Sequence, residues 1–409
     1  MYLLTNLNPK NEQRLVWTLV GVHLSFMSDT SMVVAILPQL MRVFDLSPLK
    51  ISLLISAYTV SAGCSGLLAS FFLDRFDRKK ALLFFLGGFV ASTAFTALAP
   101  NFDLLLVARA CTGIFGGVLT AINFSIVGDA LPFERRGAAS GKILSAFPIS
   151  SVLTVPGGLL LANVFSWRAP FMMFSGFAAV VWLIAMGTVP SLGAHIKDEA
   201  ISVLKKTKAL LGNRNHLHCY GMMVLQMFAG FSVIAFFNPY LVANVQFSEK
   251  DIPLMYFIGG LFTSAMTPYV GKLVDRHGST RIYRVVALVS LIPIYLYTNL
   301  TPSSFIWVIF ITTLFMVFVS GRMVPFMAAA TSAASMESRG SHLSFLGAIQ
   351  QISVACAASV SGWILTETAE GLYEGFDVVG YVAITASVLC MMAVATIRKH
   401  EDTPALKAS

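Results

Sequence analysis

Charge is what this chain has least of: Asp, Glu, Lys and Arg make up 12% of its 409 residues, while 56% are hydrophobic. Soluble domains carry about 25% charged and 45–50% apolar residues. The mean hydropathy of +0.76 therefore points to lipid rather than water as the solvent. Cysteine is scarce as well. Cys64, Cys111, Cys219, Cys356 and Cys390 lie within or at the edges of apolar runs, with neither paired nor metal-like spacing, and read as small packing groups. Also missing are a phosphate-binding glycine loop, a metal-ligand cluster and a nucleophile with a base at meaningful spacing. Soluble enzymology and ATP-driven pumping fall away. The chain is expected to be no enzyme and to hold no cofactor and no metal.

What is present is a series of apolar runs. A membrane-spanning helix takes about 20 residues, and runs of that order fall at roughly 15–38, 51–73, 80–100, 104–128, 140–163 and 169–190, then at 218–241, 252–274, 282–300, 304–330, 342–366 and 375–397. The first begins after Arg14, exceeds a signal-peptide core and lacks a small-x-small cleavage site, so it is expected to be retained. Segment 191–217 is the most polar internal stretch, with Lys197, Asp198, Glu199, Lys205, Lys206, Lys208 and Arg214. It is expected to link an N-terminal bundle over 1–190 to a C-terminal bundle over 218–409.

The formal charge of +8 is spread over many short loops, not gathered on one face, so nucleic acid is not an expected partner. The loops carry topology instead. If the N-terminus is cytoplasmic and the spans alternate, 22 of the 28 Lys and Arg residues fall on the cytoplasmic side. Only Arg42, Lys50, Arg168 and Lys250 fall outside, and Arg109 and Arg322 lie within spans. The excess of positive charge on inner loops selects this orientation, with both termini cytoplasmic. For a bacterial chain the expected location is the inner membrane, crossed many times.

A charged island at Leu73-Asp74-Arg75-Phe76-Asp77-Arg78-Lys79-Lys80 has an echo 201 positions later, where Gly271-Lys272-Leu273-Val274-Asp275-Arg276-His277-Gly278 places Asp275-Arg276 in register with Asp74-Arg75. Pro38 and Pro239, Ser47 and Ser248, and Ile51 and Ile252 share the offset, and Glu134-Arg135-Arg136-Gly137 answers Glu337-Ser338-Arg339-Gly340 at an offset of 203. Six spans separate equivalent points, so the halves form a parallel repeat.

The island resembles the signature loop of the major facilitator superfamily, with Asp74, Arg75, Arg78 and Lys79 in place and Ser70 and Asp77 standing where the family has glycine. Gly271, Leu273, Asp275, Arg276 and Gly278 form a second, closer copy. Arg109-x-x-x-Gly113, followed by Asp129, Pro132, Arg136 and Gly137, is similar to the family's fourth-span motif. Thr154-Val155-Pro156-Gly157-Gly158, then Trp167-Arg168-Ala169-Pro170-Phe171, resembles the fifth-span motif and flanking turn of proton-coupled exporters, with Thr154 in place of a glycine. The resemblance implies an all-α membrane fold of twelve helices in two six-helix bundles. It further implies alternating access, the proton gradient as driving force, and a small organic cargo such as a drug, sugar or metabolite. The expected partners are substrate, protons and the bilayer, and the expected state is a monomer. An importing uniporter or symporter of the same fold remains open, as does a transport-inactive sensor.

Asp29 lies 15 residues after Arg14 and 13 before Arg42, about 20 Å from either charged boundary at 1.5 Å per residue. A carboxylate at that depth costs about 2.5–3.5 kcal/mol on insertion scales, and it can load and release a proton as access alternates; the alternative is a bond to a neighbouring helix. Arg109 is its natural counterpart. The resemblance gives it proton coupling or substrate contact, with outward snorkelling as the alternative. The repeat offers no second acid, since Gly230 stands at the position equivalent to Asp29. Arg322, beside Gly321 and Pro325, is a candidate anchor for polar or anionic substrate or a partner of helix-end carbonyls. Gln226, Gln350 and Gln351 suit substrate contact or interhelical bonding, and His23 suits a proton path or a satisfied buried site. Asp74, Arg75, Arg78, Gly271, Asp275, Arg276 and Gly278 are expected to latch the cytoplasmic face, while Pro156, Gly157 and Gly158 let the fifth span bend and pack closely.

Overall fold

The computed structural model describes residues 8–193, 210–335 and 339–398, without the side chains of residues 70–72, 74, 133 and 134. The first half holds α1 (Pro9–Ala35), α2 (Pro48–Phe72), α3 (Arg78–Leu98), α4 (Phe102–Ala130), α5 (Phe133–Leu144, continuing through short turns into Val155–Val164) and α6 (Arg168–Thr188). The second holds α7 (Arg214–Ile234), α8 (Ile252–His277), α9 (Ser279–Thr298), α10 (Phe305–Gly321 and Met323–Ser332), α11 (Arg339–Ile364) and α12 (Phe376–Ala393). Among the described residues, eleven helices are long and apolar enough to cross a membrane. The exception is α8, whose length suffices but whose Thr263, Ser264, Thr267, Pro268 and Tyr269 dilute its apolar run. The expected linker at 191–217 lies outside the described residues over 194–209, as do Glu337 and Ser338.

Side-chain caps start several helices by accepting otherwise unpaired amide hydrogens. Asn8 accepts from Lys10 at 3.3 Å, Asp77 from Lys80 at 3.1 Å and Asn101 from Leu104 at 3.0 Å. Prolines then set the interruptions. Pro38 has no N–H for the Val34 carbonyl, so α1 stops at Ala35 and the chain restarts as the short helix Leu37–Phe44. Its repeat partner Pro239 sits in the equivalent short helix Phe237–Ala243, just after α7. In α5, Pro156 follows a π turn over Ser150–Thr154, and in α10, Pro325 follows the break at Arg322.

An even number of crossings brings residues 8 and 398 to one end, the terminal face, opposite a far face. In α1 and α7, 67% of the most apolar window is buried, more than in any other of these eleven spans, against 39% in α5, α6, α9, α11 and α12. The halves meet through α2 against α11 and α5 against α8, pairs that the duplication interchanges. Missing side chains make this possible: a Cβ on Gly63 would stand 3.1 Å from the Ala348 carbonyl oxygen, and one on Gly260 would stand 2.9 Å from that of Ser151.

One apolar cluster runs through both halves, from Met32, Leu54 and Phe171 to Phe236, Phe315 and Phe376. A second, with Leu15, Phe26, Phe89 and Ile126, is confined to the first half. Among the described residues the hydrogen bonds that join the halves lie at mid-depth and toward the far face, from Ser56 and Ser359 (3.2 Å) to Arg42 and Glu249. Nearer the terminal face Leu144, Phe147, Met266 and Tyr269 are exposed.

Candidate coupling and substrate site

Asp29 and Arg109 come together. Arg109 Nη1 donates to Asp29 Oδ2 at 2.7 Å, with the two residues 1% or less exposed. Inside an apolar bundle each charge depends on the other, because removing one partner leaves an uncompensated buried ion. The pair is incompletely bonded: Asp29 Oδ1 and Arg109 Nε have no hydrogen-bond partner. One face of the guanidinium lies over the Tyr58 ring, 4.7 Å from its centroid. Arg109 points into the bundle and not outward along lipid.

The other candidates are dispersed. Arg322 is fully buried in the second half, where Nη1 donates to the Ser387 hydroxyl at 2.7 Å and Nη2 to the Ala229 carbonyl at 2.9 Å. It ties α10 to α7 and α12, and among the described residues no carboxylate pairs with it. A Cβ on Gly230 would stand 3.7 Å from Nη2, so the second half keeps an arginine beside the position of Asp29 without the acid. Gln226 accepts from the Tyr283 hydroxyl, an interhelical bond inside that bundle. His23 is buried edge-on against Phe26 and Phe124, at 4.7 and 6.4 Å between ring centres, and its Nδ1 has no partner. The structure does not bring it to the ion pair. Gln350 and Gln351 are half-buried on α11, and the Gln351 Cβ would stand 3.4 Å from a Cβ on Gly63, at the seam between the halves.

In the fifth-span motif Gly158 seats the Met32 side chain, whose Sδ would stand 2.8 Å from a Cβ there, while Gly157 faces open space and Pro156 is buried. Thr154, the departure from the family glycine, bonds the Ser28 hydroxyl on α1 at 2.8 Å. Of the signature loops, Arg78 is buried and donates to Asp129 at 2.9 Å and to the Leu73 carbonyl at 3.2 Å, joining α3 to α4 within one half. Arg75, Asp275, Arg276 and Gly278 are exposed and Gly271 has open space around it. The side chain of Asp74 lies outside the described residues. Among the described residues no hydrogen bond or ion pair of Arg75, Asp275 or Arg276 crosses the terminal face.

Three features escaped sequence reasoning. Tyr58 looks like any apolar-span aromatic until α2 is placed on α4. Arg42, in the short helix Leu37–Phe44, and Glu249, in the following loop of the second half, are 207 positions apart. Asn238 donates to the Val34 and Ala35 carbonyls at 3.1 Å each and is oriented by Tyr256 at 3.0 Å. The signal for Asn238 was available: Pro38 predicts an unpaired Val34 carbonyl, and the repeat places residue 238 beside Pro239.

The sequence pattern of the Major Facilitator Superfamily matches residues 19–231 and 219–409. The MFS-type transporter YfhI of Bacillus subtilis (strain 168), itself uncharacterized, is 26% identical over 273 residues, which is 66% of this chain and 68% of that protein. A probable sugar efflux transporter of Helicobacter pylori (strain G27) is 25% identical over 282 residues, covering 68% and 69%. Among solved structures, a D-xylose–proton symporter superposes with a TM-score of 0.78 at 16% identity over 92% of this chain and 96% of that one. A bacterial homolog of the human lysosomal transporter Spinster, in an inward-facing conformation, gives 0.73 at 17% identity over 96% and 98%. This chain belongs to the Major Facilitator Superfamily and is a multi-pass membrane transporter of small molecules.

Proposed function

We propose that the transporter is a proton-coupled antiporter that exports a small organic molecule, a sugar or drug-like compound, across the bacterial inner membrane with both termini cytoplasmic. The observation that carries the reading is the sealed Asp29–Arg109 pair. Among the described residues only the first half has such a buried pair, so protonation of one carboxyl changes the charge balance of one bundle. With Asp29 ionised the pair is neutral as a unit; with Asp29 protonated Arg109 is a lone buried cation, and the two states favour different packings of the cleft. In the proposed orientation the hydrogen bonds that join the halves at the far face hold the outer side together, which favours entry of cargo from the cytoplasm. The name of the Helicobacter relative supports the sugar class, and the exporter-like motif around Pro156 supports the direction. The exporter branch, the monomeric state and the bundle boundaries belong to the same proposal.

Vesicles reconstituted with the protein, loaded acid inside with a lumenal pH dye, test it against a panel of mono- and disaccharides and lipophilic drugs. Antiport predicts that a transported compound enters while the lumen turns alkaline faster, and that Asp29→Asn abolishes this coupling. Lumenal acidification on entry would assign symport, and entry without pH change would assign uniport. Failure of every compound to move would favour the sensor reading.

A further inference from the structure

Proton loading of Asp29, the reading proposed above, leaves a problem that the geometry of Tyr58 answers. Once the carboxyl is neutral, Arg109 has lost its ion pair, and no second carboxylate approaches it among the described residues. A guanidinium on a long flexible stem would then swing toward water, and the pair could not re-form when the proton leaves. We propose that Tyr58 is a positioning residue whose ring face holds Arg109 beside Asp29 throughout the protonated half of the cycle.

The site is built for this contact. The guanidinium carbon lies 4.7 Å from the Tyr58 ring centre, within cation–π range. Both residues are buried, Tyr58 at 3% exposure, which removes the competition from water that weakens such contacts at surfaces. The spacing of α4 supplies the space. Gly113, one turn after Arg109, has no side chain to collide with the Tyr58 carbonyl, and a Cβ on Gly116 would stand 3.1 Å from the Tyr58 hydroxyl. The arginine and the glycines of Arg109-x-x-x-Gly113-x-x-Gly116 therefore serve one arrangement: the charge, and the groove that seats its aromatic platform. Thr30, next to Asp29, faces the Tyr58 hydroxyl from α1. The remaining titratable groups on the helices packed around the pair are His23 on α1, set among phenylalanines, Cys111 on α4 and Cys64 on α2, with His342 and Cys356 on α11, which packs against α2. The charged residues of these helices, such as Glu12, Lys50, Asp103, Asp129 and Arg168, stand at helix ends.

The test reads the protonation of Asp29 without needing the cargo. In the full-length protein in lipid, the carboxylic C=O infrared band lost in Asp29→Asn is titrated in wild type, Tyr58→Phe and Tyr58→Leu, with Tyr58→Met in reserve if the leucine variant does not fold. Freed of the ring, Arg109 spends less time beside Asp29 and supports its ionisation less. The midpoint in Tyr58→Leu is therefore expected to rise by about half a unit to one unit, from the usual strength of the contact, and Tyr58→Phe is expected to match wild type. In an Arg109→Gln background the tyrosine substitutions should move nothing, which a merely structural role would not predict. An unmoved midpoint in Tyr58→Leu, or a shift that survives Arg109→Gln, overturns the proposal while leaving proton loading intact. A wild-type band that never titrates overturns proton loading and the role of Tyr58 together.

Discussion

Arg42 and Glu249 join the two halves at the far face: both terminal nitrogens of the guanidinium donate to the two oxygens of the carboxylate, one at 2.7 Å. They sit beside the Gln39–Asn163 hydrogen bond at 2.7 Å, and Asn163 in turn donates to the Glu249 backbone carbonyl at 3.3 Å. Arg42 is well exposed, so the pair is worth about 0.2–1 kcal/mol, the range of surface ion pairs. That is enough to bias a balanced conformational equilibrium and too little to lock it. Arg42→Ala or Glu249→Ala should shift the population toward a far-face-open state two- to fivefold, read by spin-label distances across that face. The charge-exchanged double variant should return most of it, and high salt should erase the wild-type bias.

Asn238 closes the same face at greater depth. Its amide serves two carbonyls of α1 next to the Pro38 break, and leaving buried acceptors unsatisfied costs about 1–3 kcal/mol. Asn238→Leu should lower the melting temperature and open the far face more than Arg42→Ala or Glu249→Ala does. Cysteine accessibility at the ends of α1 and α7 measures the second effect, and equal labelling in both proteins would refute it.

Asp77 replaces a family glycine and has acquired a task. It caps α3 through Lys80 and accepts from the Ser191 hydroxyl at 2.7 Å, fastening the end of α6 to the start of α3. Burial pushes its carboxyl up, but hydrogen bonds from Ser191, Lys80, Lys79 and Leu192 outweigh this and hold it below the usual carboxylate range. The lowered value means that its stabilisation is fully present above the unfolded value of about 3.9 and is lost as pH falls through the folded value. Asp77→Ala should cost about 1 kcal/mol at pH 7, and the difference in melting temperature from wild type should narrow below that window. Asp77→Asn should keep most of the cap and show no such pH dependence.

Gly63 sets how closely α2 can lie against α11. A Cβ there would stand 2.9 Å from Ile352 and 3.1 Å from a backbone oxygen, and the backbone cannot step aside as a flexible side chain could. Gly63→Val should disfavour the observed closure of the halves and slow transport while each bundle still folds. Gly157→Val, facing open space, is the control. Comparable loss in both would show that generic helix packing, and not the seam, is affected.

The apolar runs, the duplication and the depth of Asp29 and Arg109 were legible in the sequence because lipid imposes them locally. Every span must satisfy its own backbone, and every intramembrane charge stands out against an apolar background. Pro156 marked a bend in the fifth span, whereas the runs 15–38, 218–241 and 304–330 were read as unbroken past Pro38, Pro239 and Pro325, where the structure breaks or restarts the helix. What the sequence could not decide was which face each polar side chain would take. Arg109 and Arg322 look alike as lone intramembrane arginines, yet one meets a carboxylate and an aromatic ring while the other is spent on Ser387 and a backbone carbonyl. Gln226 and His23 turn into the packed interiors of their bundles by the same undetermined rotation.

Nor could spacing along the chain find Arg42 with Glu249, Asn238 with α1, or Tyr58 beneath Arg109. Each contact depends on how one helix is rotated and slid against another, and that is set by the summed packing of glycines and large side chains over whole interfaces. The sequence by itself determined that this protein crosses the membrane as a duplicated bundle with one acid and one arginine in its first half. Only the tertiary structure decided that these two pair, that an aromatic face backs them, and that hydrogen bonds join the halves at the far face.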